Sequence, residues 1–350
     1  MEEMVCKPAI ASMSLGRAWV HDFHEKVKQA SEAGFKGIEI FYEDLEYIAK
    51  SHAEGQAQEQ ESPAPAEEFL LSAAREIREM CDQVELIVIG LQPFLFYEGL
   101  LDREEHKARI RKLKTWFKIV KILRTDIIQV PSNFQAAGIS GDMDLIVQDL
   151  TEIADLGLQE TPPVRFAYEN LSWGTFVDTW ETLWEIVCGV DRPNFGCCLD
   201  TFNIAGRIWA DPASPTGKTP DADAVLKTSL ENLVKTVDLK KVFYLQVVDA
   251  ERLSKPLVEG HIFYVEGQPA RMSWSRNARV FPFEYDRGAY LPVVEIARAF
   301  THGLGYKGWI SLELFSRTMS DPDPTVPRTH AQRGFAAWEK LVKELHRDSE

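Results

Sequence analysis

Residues 195–200 read FGCCLD: five apolar or small side chains closed by one carboxylate, Asp200. Nothing polar interrupts the run, which is the pattern of a parallel strand buried on both faces. Three more runs are largely apolar, with Arg165 and Ser311 inside two of them, and close the same way. VRFAYE at 164–169 ends in Glu169, VFYLQ at 242–246 in Gln246, and GWISLE at 308–313 in Glu313. Burying an oxygen donor without a partner is expensive, so four core strands that close on such donors call for a partner they can share. One divalent cation accepts several oxygens at once, which makes these four residues candidate ligands. Without it, three clustered carboxylates would repel and raise one another's pKa.

Outward from these runs, strand-like and helix-like patterns alternate along the whole chain. AIASMS near Ile10 is the first strand. Asp22, with Glu25 three residues later, marks a helix start, and Phe23, Val27 and Ala30 give its buried stripe before Gly34 stops it. GIEIF at 37–41 is the second strand, ELIVIGL ending at Gln92 the third, and DIIQV ending just before Pro131 the fourth. Helices are expected near 73–81, 103–123, 144–156, 180–187, 224–234, 291–300 and 331–345. The polar stretch SHAEGQAQEQESPAPA, 51–66, is expected to be an exposed insert. Eight strand-then-helix units predict a single (β/α)8 TIM barrel over residues 1–350. An open doubly wound sheet would want a GxGxxG fingerprint after the first strand, and SMSLGRAW does not supply it. In a barrel, the C-terminal strand ends carry the site, so the four oxygen donors share one level.

A formal net charge of -15 argues against nucleic acid as a partner, while a small anion needs only one or two local arginines. Five cysteines show no CxxC pairing, and the N-terminus MEEMVCKPAIASMS lacks a signal-peptide core. The longest apolar stretch, VELIVIGLQPFLF, is too short and interrupted to span a membrane. A cytoplasmic enzyme is the expectation, and a homo-oligomer is compatible with it. With no cysteine among the candidate ligands, magnesium, manganese or cobalt is favoured over zinc.

KPAIASMSLGRAW, GFKGIEIFYEDLE, QPF at 92–94, YEN at 168–170, LDTFN at 199–203 and SLELF at 311–315 together resemble the fungal 3-dehydroshikimate dehydratases, within the xylose-isomerase-like barrel superfamily. The resemblance implies metal-dependent conversion of 3-dehydroshikimate to protocatechuate in quinate catabolism, with the metal set mapping onto Glu169, Asp200, Gln246 and Glu313. It also implies substrate binding by Ser275 and Arg279, within SWSRNARVFP (273–282), a stretch that offers Arg276 as well. Arg207, in the loop after Asp200, is a second candidate for the anionic substrate. Asn203 stands where the superfamily commonly carries histidine, and Leu95 where bacterial relatives tend to carry arginine. Neutral asparagine orients substrate or ligand but cannot be a general base. His261, Lys255, Glu43 and Glu98 remain as base candidates, His261 being the one named for the role, and Trp173 and Trp209 as pocket walls. A sugar or keto-sugar isomerase would use the same cage to enolise a neutral substrate, without need of Arg279.

Overall fold

The computed structural model describes residues 6–54 and 65–347. Ten strands are present among them: β1 (Lys7–Ala11), β2 (Gly37–Phe41), β3 (Ile87–Gln92), β4 (Ile127–Pro131), β5 (Arg165–Glu169), β6 (Phe195–Asp200), β7 (Val242–Gln246), β8 (Asp249–Ala250), β9 (Arg279–Val280) and β10 (Trp309–Leu312). Eight of these close into a barrel in the order β1-β10-β7-β6-β5-β4-β3-β2, and β8 and β9 form a separate antiparallel ribbon. All barrel pairings are parallel. Ala9, Ile89, Ile127, Ala167, Cys198 and Tyr244, from six barrel strands, form a compact apolar cluster apart from the main core. Cys198 belongs to this cluster and Cys197 to the core shared with the helices, so the adjacent pair faces two ways.

Helix starts follow the local chemistry that the sequence offers. Asp22 accepts a hydrogen bond from the Glu25 amide at the head of Phe23–Ala33, and Gly34 ends that helix at φ 118°. Asp102 accepts from the Glu104 and Glu105 amides, and Arg103–Leu123 begins there. The expected helices near 73–81 and 331–345 are longer, at Glu67–Gln83 and Val326–His346.

Three helices were not anticipated. Tyr42–Glu54 takes in the first residues of the expected polar insert, so 51–54 are helical; residues 55–64 of that insert lie outside the described residues. Thr201–Ile208 carries Asn203 and Arg207, which were expected in a loop; its cap is Asp200, whose Oδ1 accepts from the Phe202 amide at 2.9 Å. Ala270–Ala278 carries Ser275 and opens after Pro269, whose extended backbone starts the turn.

Candidate metal centre

Strand register sets the site. Asp200 lies opposite Gln246, and Ser311 opposite the same Gln246, which leaves Glu313 one residue beyond the end of β10. Glu169 closes β5 opposite Pro131. All four expected ligands are buried, and Glu169, Asp200 and Glu313 each offer an oxygen within 4.8 Å of the others. Gln246 Nε2 donates to Glu313 Oε1 at 3.1 Å and to Glu39 Oε2 at 3.0 Å, while its Oε1 is buried with no partner. A buried acceptor without a protein partner, beside three carboxylates, suits an oxygen-bound divalent cation. The donor set fits a hard divalent ion.

The surrounding side chains hold these oxygens in place. Asn203 Nδ2 donates to Glu169 Oε1 at 2.7 Å and Asp200 Oδ2 at 2.9 Å, and its Oδ1 accepts from the Ser172 amide. Both ends of this amide are therefore engaged by protein, and Asn203 holds the carboxylates of Glu169 and Asp200. Gln129 donates to Glu169 Oε2. Arg279, 1% exposed, donates from Nη1 to Glu313 Oε2 at 2.9 Å and Asp200 Oδ2 at 3.3 Å, and from Nε to Ser275 Oγ at 3.0 Å. Its guanidinium lies against the rings of Phe202 and Phe315.

Glu39 was missed by the sequence reading. It sits mid-strand on β2, fully buried, and accepts from Gln92 and Gln246. A charged residue inside the apolar run GIEIF is a readable signal, as are Gln92 at the end of β3 and Gln129 within β4. Burial, then the charge of Glu313, pushes Glu39 up to about 8. Burial raises Glu313 to about 7 and raises Asp200, with Arg279 pulling both back. Glu169 is held well above the carboxylate range by burial and by the charges of Glu313 and Asp200. Four acids around one guanidinium are under-compensated, and a dication restores the balance.

A stability test follows for metal-free protein. Its folded state retains protons on Glu39 and Glu313 that the unfolded chain releases above its ordinary value of 4.5. Its stability therefore falls as pH rises from about 4.5 to about 8. Added divalent ion raises the melting temperature most at the upper end of that range. A metal-induced shift that is absent, or largest at pH 5, contradicts the assignment of Glu313 as a ligand.

Above the acids lies a cavity of about 580 Å³ of unfilled space including its mouth, walled by Phe41, Leu95, Phe134, Trp173 and Phe315. Its charged lining is Glu169, Glu313, Arg276 and Arg279. Ser275 also lines it. Arg207 does not: it pairs with Asp178 at 2.7 Å. None of the base candidates lines it either. His261 Nδ1 accepts from the Phe263 amide, Glu43 pairs with Arg17, Lys255 is exposed, and Glu98 accepts from the Asn133 amide and the Tyr168 hydroxyl. Trp209 is likewise elsewhere, donating to Asp223. A second acidic group, His106, Asp149 and Glu152, lies on two outer helices, but the Arg103 guanidinium already engages both Asp149 oxygens.

Comparison with known proteins places the chain among relatives. The chain is 54% identical over 345 residues to a 3-dehydroshikimate dehydratase of Neurospora crassa, covering 98% of this chain and 95% of that protein. Among solved structures, the IOLI protein with a bound zinc atom superposes with a TM-score of 0.67 at 17% identity, over 97% of this chain and 98% of that one. AsbF of Bacillus anthracis, a probable 3-DHS dehydratase, gives 0.61 at 16% identity, over 95% and 98%. At such identities these two speak for the fold. Residues 27–341 match the xylose isomerase-like TIM barrel family, and the chain belongs to that family.

Proposed function

We propose that this chain is a 3-dehydroshikimate dehydratase, which removes one molecule of water from that cyclic hydroxy ketone to leave protocatechuate. The relative of that name at 54% identity over nearly the full length carries the reading. The cavity supports it, since its floor is an oxygen cage and its walls are apolar and aromatic. Glu169, Asp200, Gln246 and Glu313 hold one divalent ion, and all-oxygen donors favour magnesium, manganese or cobalt. When bound, the ion supplies Lewis acidity for a ketone and its neighbouring hydroxyl.

The chain's own residues divide the remaining work. Asn203 and Gln129 fix the lone pairs of Glu169 and Asp200, so no reorganisation is needed when charge develops. Arg279 places a permanent positive charge at the cavity floor, held in plane by Ser275. Phe41, Leu95, Phe134 and Phe315 exclude water from a flat ring and favour the flatter, aromatic product. Among the described residues no helix is long and apolar enough to cross a membrane, and the five cysteines are free. We place the enzyme in the reducing cytoplasm.

Incubation of chelated and metal-loaded protein with 3-dehydroshikimate tests this. The aromatic absorbance of protocatechuate is expected only with metal. Absence of product with magnesium, manganese and cobalt alike overturns the reading, and a keto-sugar isomerised instead would support an isomerase.

A further inference from the structure

We infer that Arg276 binds the carboxylate of the substrate at the cavity mouth, and so orients the ring with its ketone end toward the metal cage. The inference rests on the dehydratase reading and adds a residue to it.

The argument begins with which cations are free to act. Two arginines line the cavity. Arg279 is committed to protein acids, with Nη1 on both Glu313 and Asp200. Arg276 has no carboxylate within ion-pair reach among the described residues. Its hydrogen bond goes to the neutral Gln268 Oε1 at 3.1 Å, and its guanidinium lies 6.0 Å from the centre of the Phe134 ring. An arginine in a surface position normally finds an acid or open water. This one is set against an apolar wall in a protein of net charge -15 without an acid of its own.

Position strengthens the case. Ser275 and Arg276 are consecutive on the helix Ala270–Ala278, and both line the cavity. Ser275 is buried and tied to Arg279 at the floor, whereas Arg276 is exposed. One helix end therefore presents a floor contact and a mouth contact to the same ligand. The walls between them are apolar, as a carbocyclic ring requires, and a bidentate guanidinium is well matched to a carboxylate. At the floor Glu313 and Asp200 already engage Arg279, so the guanidinium without an acid of its own lies at the mouth, and the two ends of the cavity specify one orientation. Partial burial and the nearby charge of Arg17 disfavour the charged Arg276 when the cavity holds no anion, and a carboxylate relieves that cost. Leu95, lining the same cavity, supplies no competing charge.

Arg276→Gln and Arg276→Lys test the proposal in two measurements. For metal-loaded enzyme, Arg276→Gln is expected to raise KM for 3-dehydroshikimate by about 10- to 100-fold while kcat changes by less than about fivefold. The lysine variant should recover part of that loss by keeping a point charge. Binding without turnover supplies the second readout: affinity for protocatechuate against catechol, which lacks the carboxylate. The glutamine variant should lose about 10- to 100-fold for protocatechuate and nothing for catechol. Unchanged protocatechuate affinity overturns the inference, as does an equal loss for both ligands, which would mean a distorted pocket. Wild-type enzyme that turns over 3-dehydroshikimate alongside an indifferent Arg276→Gln variant refutes this inference alone. Wild-type enzyme with no turnover refutes the dehydratase reading and the inference with it.

Discussion

Glu313→Gln is expected to leave the barrel folded and to lower metal-dependent turnover of 3-dehydroshikimate by at least about 10³-fold. Glutamine keeps the volume and one acceptor of Glu313 but removes its charge. In the folded protein Glu313 accepts from Gln246 at 3.1 Å and from Arg279 at 2.9 Å, and it crowds Glu169 and Asp200 within 4.8 Å. Removing one of several like charges relieves repulsion when no cation is present and removes attraction when one is. The two forms should therefore move in opposite directions. Metal-free Glu313→Gln melts at or above the metal-free wild type at pH 8, and its metal-induced rise in melting temperature shrinks. A residue that mattered only for packing would lower both forms together. Turnover within tenfold of wild type, or an undiminished metal-induced shift, removes Glu313 from the cage.

The barrel was legible because both faces of its strands are buried, so the strands are predominantly apolar and a closing oxygen donor stands out. FGCCLD, VFYLQ and RFAYE appear as β6, β7 and β5 with their last residues unchanged. Glu39 escaped because attention rested on strand ends, whereas the register of β2 places a mid-strand residue beside Gln92 and Gln246. The short helix Thr201–Ile208 escaped for a different reason: its cap is Asp200, already claimed as a ligand, and one residue plays both parts. Arg207 could not be placed from sequence, because its partner Asp178 is brought to it only by the fold. The same holds for Arg279. Its spacing from Ser275 was visible, but its pairing with Asp200 and Glu313 depends on the ribbon of β8 and β9 beside the end of β10.

Asn203 shows how the site limits its own charge. An ionisable side chain there would titrate against Glu169 and Asp200, but the neutral amide donates to both and cannot change state. The positive charge is left to Arg279, which pairs with Asp200 and Glu313.

Replacing Arg279 therefore has the second large effect. Arg279→Ala is expected to lower kcat/KM by about 10²–10³-fold and to destabilise the metal-free protein by about 3–5 kcal/mol, the usual penalty for removing one partner of a buried ion pair. The guanidinium is 1% exposed and meets two acids at 3.3 and 2.9 Å, so its removal leaves two buried carboxylates without their cation. Its plane rests on Phe202, 4.2 Å from the ring centre, and its Nε is fixed by Ser275. Its backbone amide donates to the Phe315 carbonyl at 3.0 Å, tying the residue to the strand end that carries Glu313. Lysine supplies a point charge but neither the stacked plane nor two opposed donor edges, so Arg279→Lys should recover less than about a tenth of the lost rate. Saturating metal offsets part of the destabilisation, because the cation then compensates the same acids. Melting temperature with and without metal, measured beside kcat/KM for the wild type and both variants, separates these effects. If Arg279→Ala loses the same stability in both conditions, the guanidinium serves packing and not the charge of the cage. If its rate stays within tenfold of wild type, the positive charge at the cavity floor has no part in the reaction.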